Sequence, residues 1–320
     1  MAAPNPKVPF LDTEWLTSKG SDAARVVRLL AEHSQPLERL AEERVHRTVL
    51  FFGSARSMSR EDWEASVAKA TESGDADELA RLHSIEWMCE WYSHTRELAR
   101  RIGEWQLERC SSRTGPEYVV ATGGGPGLME AANRGAREGG ARSMGVAVTL
   151  PFEDCMNRFV DERLAFRMHY FSTRKMVLAD RACGIVATPG GLGTFDELFE
   201  LATLVQTGKV GGRRDPWKAF MPIVLLGGTA FWRKVMNLDA LVELGTICKA
   251  DLDRMVIADT VDEAFDAVVA GLLRVEEAWH QSEDDSGTPA AAASHGRASK
   301  SLLGAVGLIS AASSRPEDDW

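Results

Sequence analysis

One segment of the chain, "TPGGLGTFDELFE" at residues 188–200, combines an open turn with the start of an acidic amphipathic helix. A proline and three glycines stand in the five positions before Thr194. Glycine costs backbone entropy and proline removes a hydrogen-bond donor, so this composition needs a structural or functional reason. Backbone N–H groups exposed at a helix N-terminus bind phosphate, and the Thr194 hydroxyl adds a donor. The segment therefore predicts a phosphate site.

A simpler explanation exists for two residues of this segment. Thr194 can cap the N-terminus of the helix, and Glu197, three residues later, completes a T-x-x-E capping box. The box does not explain the open glycines that precede it. We therefore expect the phosphate site, and we keep the capping box as the structural expectation for Thr194 and Glu197.

A second segment, "VVATGGGPGLMEAA" at residues 119–132, reads as a strand, a glycine turn and a helix start. Its turn, with Gly124 and Gly125, is a candidate for phosphate or nucleotide binding because the helix dipole favours an anion there. It is neither a dinucleotide fingerprint, since Leu128 stands at the third glycine position, nor a P-loop, since no Lys-Ser/Thr pair follows. A tight turn that packs helix on sheet is the alternative.

A pair of cations in "FSTRKMVLA", residues 171–179, gives the third indication. Arg174 and Lys175 are predicted in the first turn of a helix capped by Ser172 or Thr173. Each cation there opposes the helix dipole at a cost of about 0.3–1 kcal/mol, so a negative partner is expected. Simple solvation could account for either residue alone, but two cations one strand away from the glycine turn favour a shared anion.

Other polar and aromatic residues are weaker candidates. Glu153, in "LPFED", follows a predicted strand end, as do Ser54 and Arg56 in "FFGSAR"; an exposed loop side chain is the commoner role for each. No His, Cys and acid cluster has the spacing of metal ligands. Four further residues are expected in the core or at an interface: Trp87, Trp91, Trp105 and His169.

Strands alternate with helices along the chain, which predicts an α/β fold: a doubly wound, Rossmann-like parallel sheet with helices on both faces. In such sheets ligands bind outside the carboxyl ends of the strands. "RTVLFFG" is predicted as the first strand, 61–109 as a helical region broken at "ESGDAD", "SMGVAVTLP" as a strand before an irregular stretch, and "MVIAD" as an edge strand. The predicted organisation is a helical N-terminal extension at 1–44, bent or interrupted near Pro36, the Rossmann-like domain at 45–280 and a disordered tail at 281–320.

The composition of the 320 residues narrows the classes of partner. A net charge of −10 argues against nucleic acid or an anionic membrane as the main partner, although it leaves room for a small phosphate ester. Five scattered cysteines without a CxxC suggest reduced thiols rather than a disulfide framework or a zinc site. No apolar run reaches the roughly 18 residues of a membrane span, and no secretory signal pattern begins the chain, so a cytoplasmic location is expected.

Taken in order, "GGGPGLMEAANRGA", "LPFE", "STRK" and "PGGLGTFDELFE" resemble the LOG family of cytokinin riboside 5'-monophosphate phosphoribohydrolases, also labelled lysine decarboxylases; the similarity spans about residues 46–275. The paired motifs are more specific than either glycine turn alone. The resemblance implies hydrolysis of the N-glycosidic bond of a nucleoside 5'-monophosphate to a free base and ribose 5-phosphate. It implies no cofactor and no metal, and a homodimer or larger homo-oligomer.

The same resemblance assigns roles to residues of this chain. The family's catalytic arginine and glutamate fall on Arg174 and Glu197, where the carboxylate would stabilise an oxocarbenium-like ribose. Its substrate-binding positions fall on Glu153, Lys175, Gly190, Gly191, Leu192, Gly193, Thr194, Phe195, Asp196 and Thr203.

Two residues depart from the family motif, so the base of the substrate is not determined by the resemblance. Leu192 replaces an aromatic residue often found in the motif, and Asp196 replaces a glutamate, so an isopentenylated AMP or plain AMP, IMP or GMP could be the substrate. A non-catalytic nucleotide or molybdenum-cofactor carrier of the same fold is the alternative. A pyridoxal-phosphate decarboxylase is disfavoured, since neither Lys175 nor Lys209 comes with a recognisable acid partner for the pyridine nitrogen.

Overall fold

The structure, a computed structural model, describes residues 22–112, 116–149, 156–209 and 220–286, with side chains to residue 281. The strands are β1 (Thr48–Phe52), β2 (Val119–Thr122), β3 (Ser143–Val148), β4 (Ala165–Met168), β5 (Ala182–Ala187), β6 (Ile223–Leu226) and β7 (Met255–Ala258). The helices are α1 (Asp22–Glu42), α2 (Arg60–Ser73), α3 (Ala76–Ile85), α4 (Met88–Ser111), α5 (Leu128–Glu138), α6 (Phe171–Asp180), α7 (Leu192–Gln206), α8 (Thr229–Val235), α9 (Leu238–Glu243), α10 (Lys249–Leu252) and α11 (Val261–Ser286).

The strands form one parallel sheet in the order β4-β3-β2-β1-β5-β6-β7. All five residues of β1 are buried, and its apolar residues contribute alternately to two hydrophobic cores, with Leu50 on one face and Phe51 on the other. Leu198 of α7 packs on the first face, and Leu98 of α4 packs on the second. The predicted doubly wound α/β fold with helices on both faces is therefore confirmed.

Strand order reverses between β1 and β5, which are neighbours in the sheet although three strands separate them along the chain. Crossovers from β1 to β4 build the sheet in one direction, and those from β5 to β7 build it in the other. At such a switch point the loops that leave the two strands diverge and open a crevice. The residues that follow Phe52 and Ala187 therefore border the place where this fold binds ligands.

The elements differ from the sequence prediction in three places. The stretch predicted as irregular contains β4, a four-residue edge strand whose burial alternates, too short for a clear period-two pattern. Helix α1 runs through Pro36 without interruption. Helix α11 continues to Ser286, past the predicted start of the disordered tail, and residues 287–320 lie outside the described part of the chain.

The predicted break in the long helical region is confirmed, because Gly74 ends α2 in a left-handed conformation and Asp75 caps α3. The predicted edge strand is also present, as β7. None of the described helices is both long enough and apolar enough to cross a lipid bilayer.

Candidate active site

A cleft of about 680 Å³ lies at the switch point. Its walls come from the loop after β1, the glycine turn after β5, the first two turns of α7, the starts of α4 and α8, and single side chains of α5 and α6. Its lining residues are Phe52, Gly53, Ser54, Ala55, Arg56, Trp87, Met88, Met129, Arg174, Gly190, Gly191, Leu192, Gly193, Thr194, Glu197 and Phe231.

Hydrogen bonds hold the two loops at the base of the cleft together. The Thr188 hydroxyl and backbone N–H both donate to the carbonyl of Phe52, at 2.8 and 2.7 Å. The Ser54 N–H donates to the carbonyl of Pro189 at 2.9 Å. A Cβ at Gly53 would come within 2.0 Å of the Thr188 hydroxyl oxygen, so only glycine permits this approach.

The glycine turn opens onto the cleft at the N-terminus of α7. Gly190 is required there because a Cβ would lie 2.1 Å from the Thr194 hydroxyl oxygen. Cβ atoms at Gly191 and Gly193 would meet no described atom within 4 Å, so these two glycines leave free space in front of the helix. The first N–H groups of an α-helix have no acceptor within the helix. The turn thus offers the shape and the donors that an anion needs.

The capping-box expectation is wrong. The N-cap is Gly191 and the helix begins at Leu192, so Thr194 occupies the third helical position and Glu197 lies in the second turn. The Thr194 N–H donates to the Gly191 carbonyl, and the Glu197 carboxylate turns toward α6. Capping therefore does not explain the position of Glu197.

Glu197 forms a buried ion pair with Arg174 at one end of the cleft. Arg174 Nη1 donates to Glu197 Oε1 at 2.7 Å, and Arg174 Nε donates to the Val146 carbonyl at 2.9 Å. The Glu197 side chain is 5% exposed and the Arg174 side chain is 13% exposed. A Cβ at Gly123 would come within 2.8 Å of the guanidinium, so the second glycine turn makes room for Arg174. The structure therefore brings together the two residues assigned to catalysis.

Burial raises the pKa of Glu197 above the ordinary range of a glutamate, and the charges of Arg174 and Lys175 offset this only in part. The carboxyl group is thus easier to protonate than an exposed glutamate. If the reaction requires the carboxylate, activity should be lost on the acidic side at a higher pH than for an exposed glutamate.

Lys175 does not line the cleft. Its ammonium group contacts Glu200 at 2.5 Å, Asp196 at 2.9 Å and Glu197 at 3.4 Å. Burial acts to lower the Lys175 pKa, but these carboxylates outweigh burial and raise it. Lys175 is paired with protein carboxylates and lies outside the cleft lining, so its expected role as counter-charge to a phosphate stays a prediction.

The positive end of the α6 helix dipole is also neutralised by a carboxylate of the protein. The predicted caps Ser172 and Thr173 lie inside the helix, and the N-cap is Tyr170. The Glu32 carboxylate of α1 accepts from the His169 and Tyr170 N–H groups at 2.9 and 3.2 Å, and from the Thr173 hydroxyl at 2.8 Å. Glu32 and the carboxylates of α7 thus supply the negative partner that the helix dipole calls for, so the two cations by themselves do not require a bound anion.

We predict that Glu32→Gln lowers the turnover of nucleoside 5'-monophosphate, the substrate class that the family resemblance implies, severalfold. The contact of Glu32 holds the start of α6, and Arg174 lies in the first turn of that helix. The loss of an anion that accepts hydrogen bonds at a helix N-terminus should also destabilise the fold by about 1–2 kcal/mol. Turnover and thermal unfolding of the variant would be measured beside Glu38→Gln, a change at an exposed position of the same helix. Equal turnover of the Glu32 variant and the wild type would mean that α1 does not position Arg174.

The second glycine turn does not reach the cleft. Gly124 and Gly125 are buried, and their carbonyls accept hydrogen bonds from the Asn157 amide at 3.2 and 3.0 Å. A Cβ at Gly127 would lie 2.2 Å from the Ser54 carbonyl, so this glycine permits close packing on the β1 loop. The alternative expectation, a tight turn that packs helix on sheet, describes this segment better than a phosphate site.

The remaining predicted binding residues divide into three groups. Phe195 points inward, where it stacks on Phe199 and meets Trp232 edge-on. Asp196 pairs with Lys175 outside the cleft. Thr203 is exposed on α7, and its hydroxyl donates a hydrogen bond to the Phe199 carbonyl. Glu153 lies outside the described residues.

The sequence analysis missed part of the cleft. Trp87, expected in the core or at an interface, is 44% exposed and lines the cleft with Met88, Met129 and Phe231. Phe231 follows "LLGG" at the end of β6, a position on the ligand side of the sheet that could have marked it. Trp87 has no comparable signal, because its loop between α3 and α4 is not attached to a strand.

Within the described residues, no three His, Cys, Asp or Glu side chains are grouped to hold a metal ion.

The fold and the cleft define a Rossmann-like α/β protein with a candidate active site at its switch point. The family model described as "Possible lysine decarboxylase" matches residues 129–268, which include Arg174 and Glu197. Two relatives are named cytokinin riboside 5'-monophosphate phosphoribohydrolase. The protein from Mycobacterium marinum is 29% identical over 48% of this chain and 77% of its own, and that from Mycobacterium tuberculosis is 27% identical over 53% and 83%. These matches confirm the resemblance to the LOG family.

A plant relative matches less of its own length. The probable cytokinin riboside 5'-monophosphate phosphoribohydrolase LOG4 of Oryza sativa is 30% identical over 45% of this chain and 59% of its own. Among solved structures, the molybdenum-cofactor carrier protein of Chlamydomonas reinhardtii is 20% identical over 71% of this chain and 98% of its own, with a TM-score of 0.40. A structural likeness of this degree supports no functional assignment.

Proposed function

We propose that the protein is a phosphoribohydrolase that cleaves the N-glycosidic bond of nucleoside 5'-monophosphates, with isopentenylated AMP among its candidate substrates. The observation that carries this proposal is the buried Arg174–Glu197 pair beside an open glycine turn in one cleft. The names of the relatives give the same class of reaction.

In the proposed reaction the bond between C1' of the ribose and the base nitrogen breaks, and the electron pair leaves with the base. Positive charge develops on C1' and the ring oxygen, which the Glu197 carboxylate stabilises electrostatically. A water molecule then adds its oxygen to C1', and one of its protons passes to the base. Arg174 holds the carboxylate in place through its 2.7 Å hydrogen bond. The products are the free base and ribose 5-phosphate.

The phosphate would bind at the N-terminus of α7, on the open side of Gly191 and Gly193. Arg56 replaces Lys175 as the candidate counter-charge, because it is exposed and lines the same cleft. Remote binding energy at the phosphate would fix the ribose so that C1' faces Glu197.

The test is an assay of product release. Purified protein would be incubated with AMP, isopentenyladenosine monophosphate, GMP and the matching nucleosides, and the free base and ribose 5-phosphate would be separated by chromatography. Release from the monophosphates alone supports the proposal and ranks the bases. Nucleotide binding without release would favour a carrier protein of the same fold.

We predict that Arg56→Gln raises the KM for nucleoside monophosphates about tenfold and changes kcat little, since it removes one charge-assisted hydrogen bond to the phosphate. Selectivity for AMP over adenosine should fall by the same factor. The matched control is Arg60→Gln, because Arg60 is also exposed but pairs with Glu86 outside the cleft. An unchanged KM for AMP would exclude Arg56 from the phosphate site.

The description "Possible lysine decarboxylase" does not fit the chemistry of Lys175. A pyridoxal-phosphate enzyme needs a lysine amine that can lose its proton. Three carboxylates surround Lys175 and raise its pKa, which opposes that step. Lys209, the other candidate, is exposed beyond the C-terminal end of α7.

Homo-oligomer formation stays part of the proposal. The exposed apolar side chains Phe171 and Met176 on α6 and Leu192 and Phe199 on α7 are compatible with a contact between copies.

A further inference from the structure

One wall of the cleft is aromatic and is not used by the proposed chemistry. Trp87 and Phe231 both line the cleft, with ring centroids 5.6 Å apart and planes inclined by 32°. Trp87 keeps 44% of its surface exposed. A large apolar ring left in contact with water inside a concave site marks a surface that a ligand can cover.

Each ring of this wall packs against another aromatic ring of the protein, Trp87 on Phe231 and Phe231 on Trp232. Phe231 meets the buried ring of Trp232 edge-on at 5.0 Å, and Trp232 belongs to the hydrophobic core. Trp87 lies at the start of α4, next to Met88, which is 7% exposed. Packing of the rings on one another limits the conformational entropy lost when a flat ligand stacks on this wall.

The aromatic wall and the ion pair lie on different sides of the glycine turn. Arg174 reaches the carbonyl of Val146 in β3, whereas Phe231 belongs to α8, which follows β6. The turn follows β5, which lies between β3 and β6 in the sheet order. A ligand whose phosphate sits at the turn could therefore place other groups toward both ends of the cleft.

We propose that Trp87 and Phe231 form the base-binding subsite and select a purine by stacking. This inference rests on the proposed function, since it names the residues that would hold the base of the nucleotide. Aromatic side chains stack on the π-face of a base, and two fused rings cover more of the wall than one. The apolar side chains of Met88 and Met129 line the same cleft and suit an uncharged base.

The test compares two ligands that share the ribose phosphate and differ in the base. AMP and ribose 5-phosphate would be titrated by calorimetry into Glu197→Gln and into the same protein with Trp87→Ala. Loss of stacking should weaken AMP binding about tenfold to hundredfold and leave ribose 5-phosphate unchanged. Trp87→Phe should restore most of the AMP affinity, and UMP should lose less than AMP.

A matched control is Phe220→Ala, since Phe220 is 56% exposed and precedes β6, at the amino ends of the strands and away from the cleft at their carboxyl ends. Equal weakening of both ligands by Trp87→Ala, or no effect on AMP, would overturn the subsite. Failure of the proposed function looks different: wild-type protein would release no base, although Trp87→Ala would still weaken AMP binding. Normal hydrolysis of AMP with an unchanged KM in Trp87→Ala would refute the subsite alone.

Discussion

Glu197→Gln should lower the hydrolysis of nucleoside 5'-monophosphates by about a hundredfold or more while nucleotide binding persists. The amide has nearly the shape of the carboxylate and can still accept a hydrogen bond from Arg174, but it carries no charge to stabilise a cationic ribose. Loss of one electrostatic partner of a transition state commonly costs two to three orders of magnitude in kcat. The measurement is initial-rate kinetics together with a calorimetric titration of AMP.

The fold should tolerate this variant, since removing one charge from a group with two cationic partners leaves most contacts in place. We expect a destabilisation of about 1–3 kcal/mol, measured by denaturant unfolding. Glu200→Gln is the control, because Glu200 also contacts Lys175 but does not line the cleft. Turnover by Glu197→Gln at the wild-type rate would show that the carboxylate only balances Arg174 and Lys175.

Arg174→Met should reduce kcat at least tenfold at neutral pH and move the acidic limb of the pH profile to higher pH. Burial already raises the pKa of Glu197, and Arg174 is the largest opposing influence. Without that cation the pKa rises further, so the reactive carboxylate persists only at higher pH. The substrate phosphate titrates identically with both proteins, so the difference between their profiles belongs to the enzyme.

This variant should also be less stable than Glu197→Gln. Removing one partner of a buried ion pair costs about 3–5 kcal/mol, and Lys175, 3.4 Å from Glu197, offsets part of that cost. Profiles of kcat/KM against pH, recorded below the unfolding temperature of the variant, would separate the two effects. An acidic limb that stays at the wild-type pH would contradict the coupling of Arg174 to Glu197.

Local patterns were enough to predict the fold. β1 and β5 are short, predominantly apolar and fully buried strands between helical segments, which is the pattern of a buried parallel sheet. The glycine turn after β5 was found for the same reason, because its composition is unusual and its place after a strand is visible in the sequence. β4 was missed because four residues with alternating burial at a sheet edge form too short a pattern.

The site was harder to predict because its partners are distant in sequence. Glu32 and Tyr170 are 138 residues apart, and no local pattern connects them. The sequence indicated correctly that the N-terminus of α6 needs a negative partner, but the nearest visible candidate was a ligand. Similarly, a helix start three residues earlier than expected removed Glu197 from a capping box and left it free to pair with Arg174.

Part of the support for α6 comes from outside the segment that the family model matches. The family model matches residues 129–268, which include Arg174 and Glu197, whereas Glu32, Arg56 and Trp87 all lie before that segment. A shortened protein that began near residue 45 would keep every residue assigned to the reaction and lose the carboxylate that closes the N-terminus of α6. The proposed chemistry and its local support can therefore change independently, and two proteins that match the family model equally well can differ in how firmly α6 is held.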